Sequence, residues 1–189
     1  MFRRKLFYLL AVCATLLATQ STEAQTIFFD LEGRAGVGLL PGNELGSISS
    51  SGSGGELTGI LFNVGTSVLT IDVGWGSVNG FGDLTGNATG MHIHGPADFT
   101  SNAGIKYPLS TLTGYDNSLS SGGFNGSVTI DSGDVADLLN GLFYINVHTL
   151  ANGGGELRGN LVQVVPEPSS MLVLGLSGIA ILVRRSRRK

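Results

Sequence analysis

Three histidines are the residues of this chain whose type and spacing could support chemistry. His92 and His94 are separated by one residue in Met-His-Ile-His-Gly-Pro, and residues two apart on a β-strand project from the same face. His148 lies in a second alternating segment, on the side opposite the apolar Ile145 and Val147. A His-X-His pair on a strand is a common metal-ligand spacing, and a histidine from another strand could complete the site. The favoured interpretation is that the three histidines hydrogen-bond turns and loops; the alternative is a copper or zinc site formed by all three.

Segments that alternate between apolar and polar residues must position these histidines. In 68–75 the side chains of Leu69, Ile71, Val73 and Trp75 share one face, and 127–131 and 141–148 alternate in the same way. A period of two with one polar face is typical of half-buried antiparallel strands. Clusters of Gly, Asn, Asp and Ser separate the segments, and 28 of the 30 glycines lie between Gly33 and Gly159. We therefore predict an all-β fold.

The expected architecture is an immunoglobulin-like or Greek-key β-sandwich or barrel. One segment departs from the alternation: Gly133–Asn140 carries apolar residues at helical spacing. It predicts one short helix that begins near Asp131 or Ser132 and ends at Gly141.

The charge of the chain is distributed very unevenly. The formal net charge is −3, but eight of the eleven cations lie at the two ends. Residues 25–164 contain 12 acidic and 3 basic residues, a net charge of −9. Such an acidic body argues against nucleic-acid binding, which needs a basic surface. The hydrophobic share of 42% is also too high for a disordered chain.

The first 24 residues have the three parts of a secretory signal. A basic start at 1–5 precedes an uncharged apolar run at 6–17 and a short segment of small and polar residues. We predict a signal peptide at 1–24, cleaved by signal peptidase between Ala24 and Gln25. Cys13 is the only cysteine, so the exported protein would have no disulfide and would depend on its core.

The last 25 residues contain Pro166-Glu167-Pro168, an apolar run at 171–183 and five cations in the final six positions. This arrangement resembles the PEP-CTERM sorting signal. The resemblance implies a Gram-negative bacterium that makes exopolysaccharide, and an exosortase that processes the tail near the Pro-Glu-Pro motif. It places the protein in the cell envelope, at the surface or in the extracellular matrix, with the C-terminal helix in the inner membrane before processing. A permanent membrane anchor is the alternative, because the cations would stay on the cytoplasmic side.

Two further segments, 91–97 and 142–161, resemble the two signatures of the CHRD domain, first described in chordin. Residues 29–44 are similar to its opening strand and turn, so the resemblance covers most of 25–164. It implies an all-β immunoglobulin-like domain without established catalytic activity. The chain also repeats itself: Gly-Gly-Glu-Leu at 54–57 returns at 154–157, which predicts two strands in related positions.

His92, His94 and His148 also resemble three copper positions of copper/zinc superoxide dismutase. The chain departs from that family because it has no fourth, bridging histidine, no zinc loop and no disulfide. Alignment with that family places Glu156 where it has its substrate-guiding arginine, and an acidic body would repel superoxide. We expect no enzyme and no cofactor other than copper or zinc.

The expected function is therefore a non-enzymatic binding or structural domain, with exopolysaccharide or surface proteins as partners. The alternative function is a metal-binding domain. A separation of more than about 5 Å between the imidazoles would make a shared metal implausible, because each ligand lies at about 2 Å from the ion.

Overall fold

The computed structural model describes residues 25–117 and 119–165. The predicted signal peptide with Ala24, the Pro166-Glu167-Pro168 motif and the apolar C-terminal segment lie outside the described residues. Among the residues described, no helix combines the length and apolarity that a membrane crossing requires.

The described chain folds into ten strands and one α-helix. In chain order the elements are β1 (Thr26–Gly33), β2 (Gly36–Val37), β3 (Gly54–Asn63), β4 (Val68–Trp75), β5 (Ala88–His94), β6 (Ile105–Pro108), β7 (Tyr115–Asp116), β8 (Gly122–Thr129), α1 (Val135–Leu139), β9 (Tyr144–Thr149) and β10 (Leu157–Gln163). The all-β fold class with one short helix is confirmed.

The strands form one antiparallel sheet in the order β6-β5-β9-β10-β1-β3-β4-β8-β7, with β2 paired to β1. A 3-10 turn, Leu109–Thr111, follows β6 and packs against β5, β7 and β8. Because this turn contacts strands near both ends of the sheet, the sheet curls into a half-barrel around its apolar side chains.

The concave face of the sheet holds the hydrophobic core. The alternation predicted for β4 is confirmed, since Leu69, Ile71, Val73 and Trp75 are all 0% exposed. Ile145 and Val147 of β9 are buried on the same side. Burying one such large apolar side chain contributes about 1.5–3 kcal/mol, so this face supplies the main drive for folding.

The convex face of β9 and β10 is also buried, which differs from the half-buried strands that alternation predicts. Leu40 bridges to Arg158, and Arg158 reaches the backbone of the 98–101 segment. Two loops, 39–53 and 96–104, therefore cover this face. The covered polar side chains are Tyr144, Asn146, Glu156, Arg158 and Asn160, each at most 2% exposed.

Helix α1 lies inside the predicted segment but is shorter, at five residues. It begins after Asp134, later than the expected Asp131 or Ser132, because the Asp134 N–H bonds the Asp131 oxygen in a turn and the first helical bond runs from the Leu138 N–H to the Asp134 oxygen. The Asp134 carboxylate bonds Lys106 Nζ and the Tyr107 hydroxyl. Gly141 follows the helix with a φ of +73°, the left-handed conformation that glycine adopts at low cost.

The repeated Gly-Gly-Glu-Leu motif occupies related positions, as predicted. The first copy begins β3 and the second leads into β10, which starts at its Leu157. Both strands pair with β1, one on each side. The two glutamates differ in their surroundings: Glu56 accepts one hydrogen bond from the Leu31 N–H at 2.8 Å, whereas Glu156 is completely buried in a polar cluster.

Candidate metal centre

The sheet register brings the three histidines together on the convex face. His92 and His94 lie on β5 and His148 on the neighbouring β9, where His148 pairs with Gly90. Because Gly90 has no side chain, the space opposite His148 is open to His92, and these two rings are 4.9 Å apart between centroids. The other two centroid distances are 5.6 and 5.7 Å.

One ring nitrogen from each histidine lies within 4.8 Å of the others. These nitrogen–nitrogen distances are below the limit of about 5 Å beyond which a shared metal would be implausible. In a tetrahedral site with bonds of about 2.0–2.1 Å, two ligand nitrogens lie about 3.4 Å apart, so the most distant pair would close by up to about 1.4 Å on binding. Rotation of the side chains supplies a movement of that size.

Each histidine has one buried ring nitrogen without a hydrogen-bond partner among the described residues: Nδ1 of His92 and Nε2 of His94 and His148. The Nδ1 atoms of His94 and His148 lie 3.0 and 3.1 Å from the backbone oxygens of Ala103 and Gly153. A carbonyl oxygen can only accept, so Nδ1 must carry the proton, and the Nε2 lone pair is left for a ligand. A backbone carbonyl on the distal nitrogen is a usual partner of a metal-bound imidazole.

The surroundings keep the histidines neutral. Burial lowers the pKa of His92 to about 4, with further lowering by His148 and His94. Burial likewise lowers the pKa of His94 and of His148. Neutral imidazoles are the form that binds metal, so the site is in its binding-competent state at neutral pH.

Orphaned buried nitrogens and a neutral imidazole donor set therefore fit a divalent copper or zinc ion. Three protein ligands would leave a fourth position open in a tetrahedral site. Among the described residues, this is the group of His, Cys, Asp or Glu side chains with metal-binding spacing.

Sequence reasoning missed the two buried charges beside the site, Glu156 and Arg158. Both are 0% exposed. The alignment with superoxide dismutase places Glu156 at a substrate-guiding position, whereas in the structure its carboxylate is enclosed by hydrogen-bond donors. The signal that could have revealed them is the Gly-Gly-Glu-Leu-Arg-Gly-Asn run, which places two opposite charges on one face of a strand.

A third buried charge, Glu44, lies over the same face. It is 4% exposed and its Oε1 has no hydrogen-bond partner among the described residues. Burial raises the pKa of Glu44, and the Arg158 charge and bonds to Leu45 and Asn146 partly offset this. Gly155 leaves room for Glu44 and Asn146, since a Cβ at residue 155 would lie within 2.5 Å of the Asn146 amide.

Comparison with protein families gives two matches. A family model described as the CHRD domain matches residues 37–161, and one described as the PEP-CTERM protein-sorting motif matches residues 164–188. No curated protein and no solved structure matches the chain.

Proposed function

The chain belongs to the CHRD-domain family, and we propose that it is an exported, non-catalytic β-domain that holds one copper or zinc ion on His92, His94 and His148 at the bacterial cell surface. The observation that supports metal binding is the set of three buried ring nitrogens without hydrogen-bond partners on adjacent strands. A buried polar atom without a partner costs free energy, and a bound ion removes that cost for all three.

The sorting motif supports the location. A protein with a PEP-CTERM motif is exported and directed to the cell surface by an exosortase-type enzyme. Within the proposal, signal peptidase cuts between Ala24 and Gln25, the CHRD domain occupies 25–164, and the tail from 165 to 189 is processed at Pro166-Glu167-Pro168. The apolar tail holds the protein in the inner membrane until then.

The non-catalytic assignment draws on charge and on the family. A body with a net charge of −9 disfavours an anionic substrate such as superoxide. The CHRD domain is a non-catalytic type of domain. Exopolysaccharide and other surface proteins are the proposed partners of the domain, and its net negative charge argues against nucleic acid.

Metal binding by the purified, exported protein tests the proposal. After removal of metal, the protein is titrated with Cu(II) or Zn(II) by calorimetry, and metal content is measured by mass spectrometry. We expect one equivalent of one of these metals per chain. His148→Ala should lower the affinity at least 100-fold, because a two-histidine site remains.

Thr66→Ala is the matched control, since Thr66 is exposed in the β3–β4 hairpin. It should bind metal as the wild type does. Failure of the wild type to take up either metal at stoichiometric level, or wild-type affinity in His148→Ala, would contradict the proposal.

A further inference from the structure

We propose that Glu156 and Arg158 are the positioning residues of the histidine site, each anchoring one loop whose backbone carbonyl fixes the tautomer of one ligand. This inference rests on the proposed function, because it assigns the two buried charges to the metal site. Glu156 serves His148 and Arg158 serves His94.

Glu156 anchors the loop that follows β9. Its Oε2 accepts hydrogen bonds from the Thr149 hydroxyl at 2.6 Å and from Asn152 Nδ2 at 2.9 Å. The Asn152 N–H in turn donates to the Thr149 hydroxyl at 3.2 Å. These contacts hold both sides of the turn that presents the Gly153 oxygen to His148.

The other oxygen of Glu156 ties this turn to the rest of the domain. Oε1 accepts from the Ser50 hydroxyl at 2.6 Å and from the Thr85 N–H at 2.8 Å. Burial alone would raise the pKa of Glu156, but hydrogen bonds donated by Ser50, Thr149 and Thr85 lower this pKa to about 2. The carboxylate is therefore ionised at neutral pH and binds its donors with charge-assisted hydrogen bonds.

Arg158 anchors the loop on the other side of the site. Its guanidinium donates to the backbone oxygens of Asp98 at 2.7 Å and Ser101 at 3.1 Å, and to the Asn102 side chain at 3.0 Å. A guanidinium has five donors in a fixed planar arrangement, so these bonds fix the path of the loop. The next residue, Ala103, provides the oxygen that receives the Nδ1–H of His94.

A ring stack gives Arg158 a second route to His94. Its guanidinium carbon lies 3.7 Å from the centre of the Tyr144 ring, and Tyr144 stacks on His94 at 5.1 Å with 12° between the planes. Tyr144 lies on β9, between the strands of the other two residues. The Tyr144 hydroxyl also bonds Ala103, accepting from its N–H at 3.2 Å.

The two anchors act on separate ligands. Glu156 lies just before β10 and Arg158 is two residues further along, within it, but they bind different loops, and each loop contacts a different histidine. His92 bonds neither of these carbonyls among the described residues, so it serves as an internal reference. A residue that merely stabilised the fold would not distinguish between His94 and His148.

The test is 15N NMR of the histidine rings in the metal-free protein at neutral pH, where each tautomer has its own chemical shifts. In the wild type we expect His94 and His148 to carry the proton on Nδ1. Glu156→Gln should mix the tautomers of His148 and leave His94 unchanged, and Arg158→Lys should do the reverse. Glu56→Gln, at the corresponding position of the repeated motif, should change neither ring.

Two milder variants cover the case in which a buried substitution prevents folding. Asn152→Ala removes one bond to Glu156, and Asn102→Ala removes one bond to Arg158. Each should disturb the same single histidine as the larger change, with a smaller effect.

Metal affinity is the second readout, and loss of a residue that supports a ligand should lower it about 10- to 100-fold. Equal changes at both rings, or no change at either ring, in both Glu156→Gln and Arg158→Lys would overturn the positioning roles. If the tautomers respond as assigned but the wild type takes up neither Cu(II) nor Zn(II), the positioning of the two rings stands and the proposed metal function fails.

Discussion

Replacing Glu156 by glutamine removes a charge from a fully buried side chain while nearly keeping its shape. The carboxylate of Glu156 accepts hydrogen bonds from Ser50, Thr85, Thr149 and Asn152. In the variant an amide NH2 group takes the place of one oxygen and meets donors rather than acceptors. We expect a clear loss of stability at neutral pH.

The size of the loss follows from the pKa of Glu156, which is about 2 in the folded protein against an ordinary value of 4.5. The difference of about 2.5 corresponds to about 3 kcal/mol, at about 1.4 kcal/mol for each pKa unit. Because the folded-state pKa is lowered, this stability is present above pH 4.5 and is lost as the pH falls from about 4.5 towards 2.

Urea unfolding of the metal-free protein measures the effect. Trp75, the only tryptophan of the chain, is fully buried and reports unfolding by its fluorescence. Glu156→Gln should be less stable than the wild type by about 3 kcal/mol at neutral pH. The gap should shrink to about 1 kcal/mol once the pH is about 2.5, because the wild-type carboxylate is then becoming protonated.

Glu56→Gln is the matched control, since Glu56 occupies the same place in the first copy of the motif. Burial raises the pKa of Glu56, partly offset by the Leu31 N–H, so its ionised form costs stability and the cost grows as the pH rises. This variant should lose little or nothing at neutral pH. Parallel stability curves for the wild type and Glu156→Gln from neutral to acid pH would refute the reasoning.

Three further substitutions have defined outcomes. Gly90→Ala places a Cβ 2.9 Å from Cε1 of His92, so calorimetry should show weaker metal binding with little change in melting temperature; Gly86→Ala, where a Cβ meets open space, should leave both unchanged. Glu44→Gln should raise the melting temperature at slightly alkaline pH, because burial raises the pKa of Glu44 and its ionised form costs stability; an equal effect at acid pH would contradict this. Asn43→Ala removes the buried hydrogen bonds from the Asn43 amide to the backbone oxygens of Gly38 and Arg158 and should cost at least about 2 kcal/mol in urea unfolding; wild-type stability would show that these bonds contribute nothing.

The sequence was sufficient to predict which side chains share a face. Alternation placed His92 and His94 together and put His148 opposite the core, and the structure agrees. It could not predict that β5 and β9 are neighbours with His148 beside Gly90, because strand order depends on pairings between residues far apart in the chain. The proximity of the three imidazoles is therefore a property of the register.

The burial of Glu156 and Arg158 could not be predicted from the sequence, for a different reason. A polar residue in an alternating strand normally faces water, and nothing in the local pattern shows that a loop returns to cover it. The covering loops supply backbone oxygens to Arg158 and the Ser50 hydroxyl to Glu156. The other donors to Glu156 come from Thr85 and Thr149. Only the three-dimensional path of these loops makes two buried charges tolerable.

The two faces of β5 and β9 carry different kinds of residue, and this has an evolutionary consequence. The histidines project outwards, while Met91, Ile93 and Ile145 pack inwards and are 0% exposed. Exchange of one histidine for aspartate or cysteine would change the ligand set of the proposed metal site without changing any of these core residues. Under the metal proposal, single substitutions at these three positions would change or remove the ion while the side chains that pack the core stay the same.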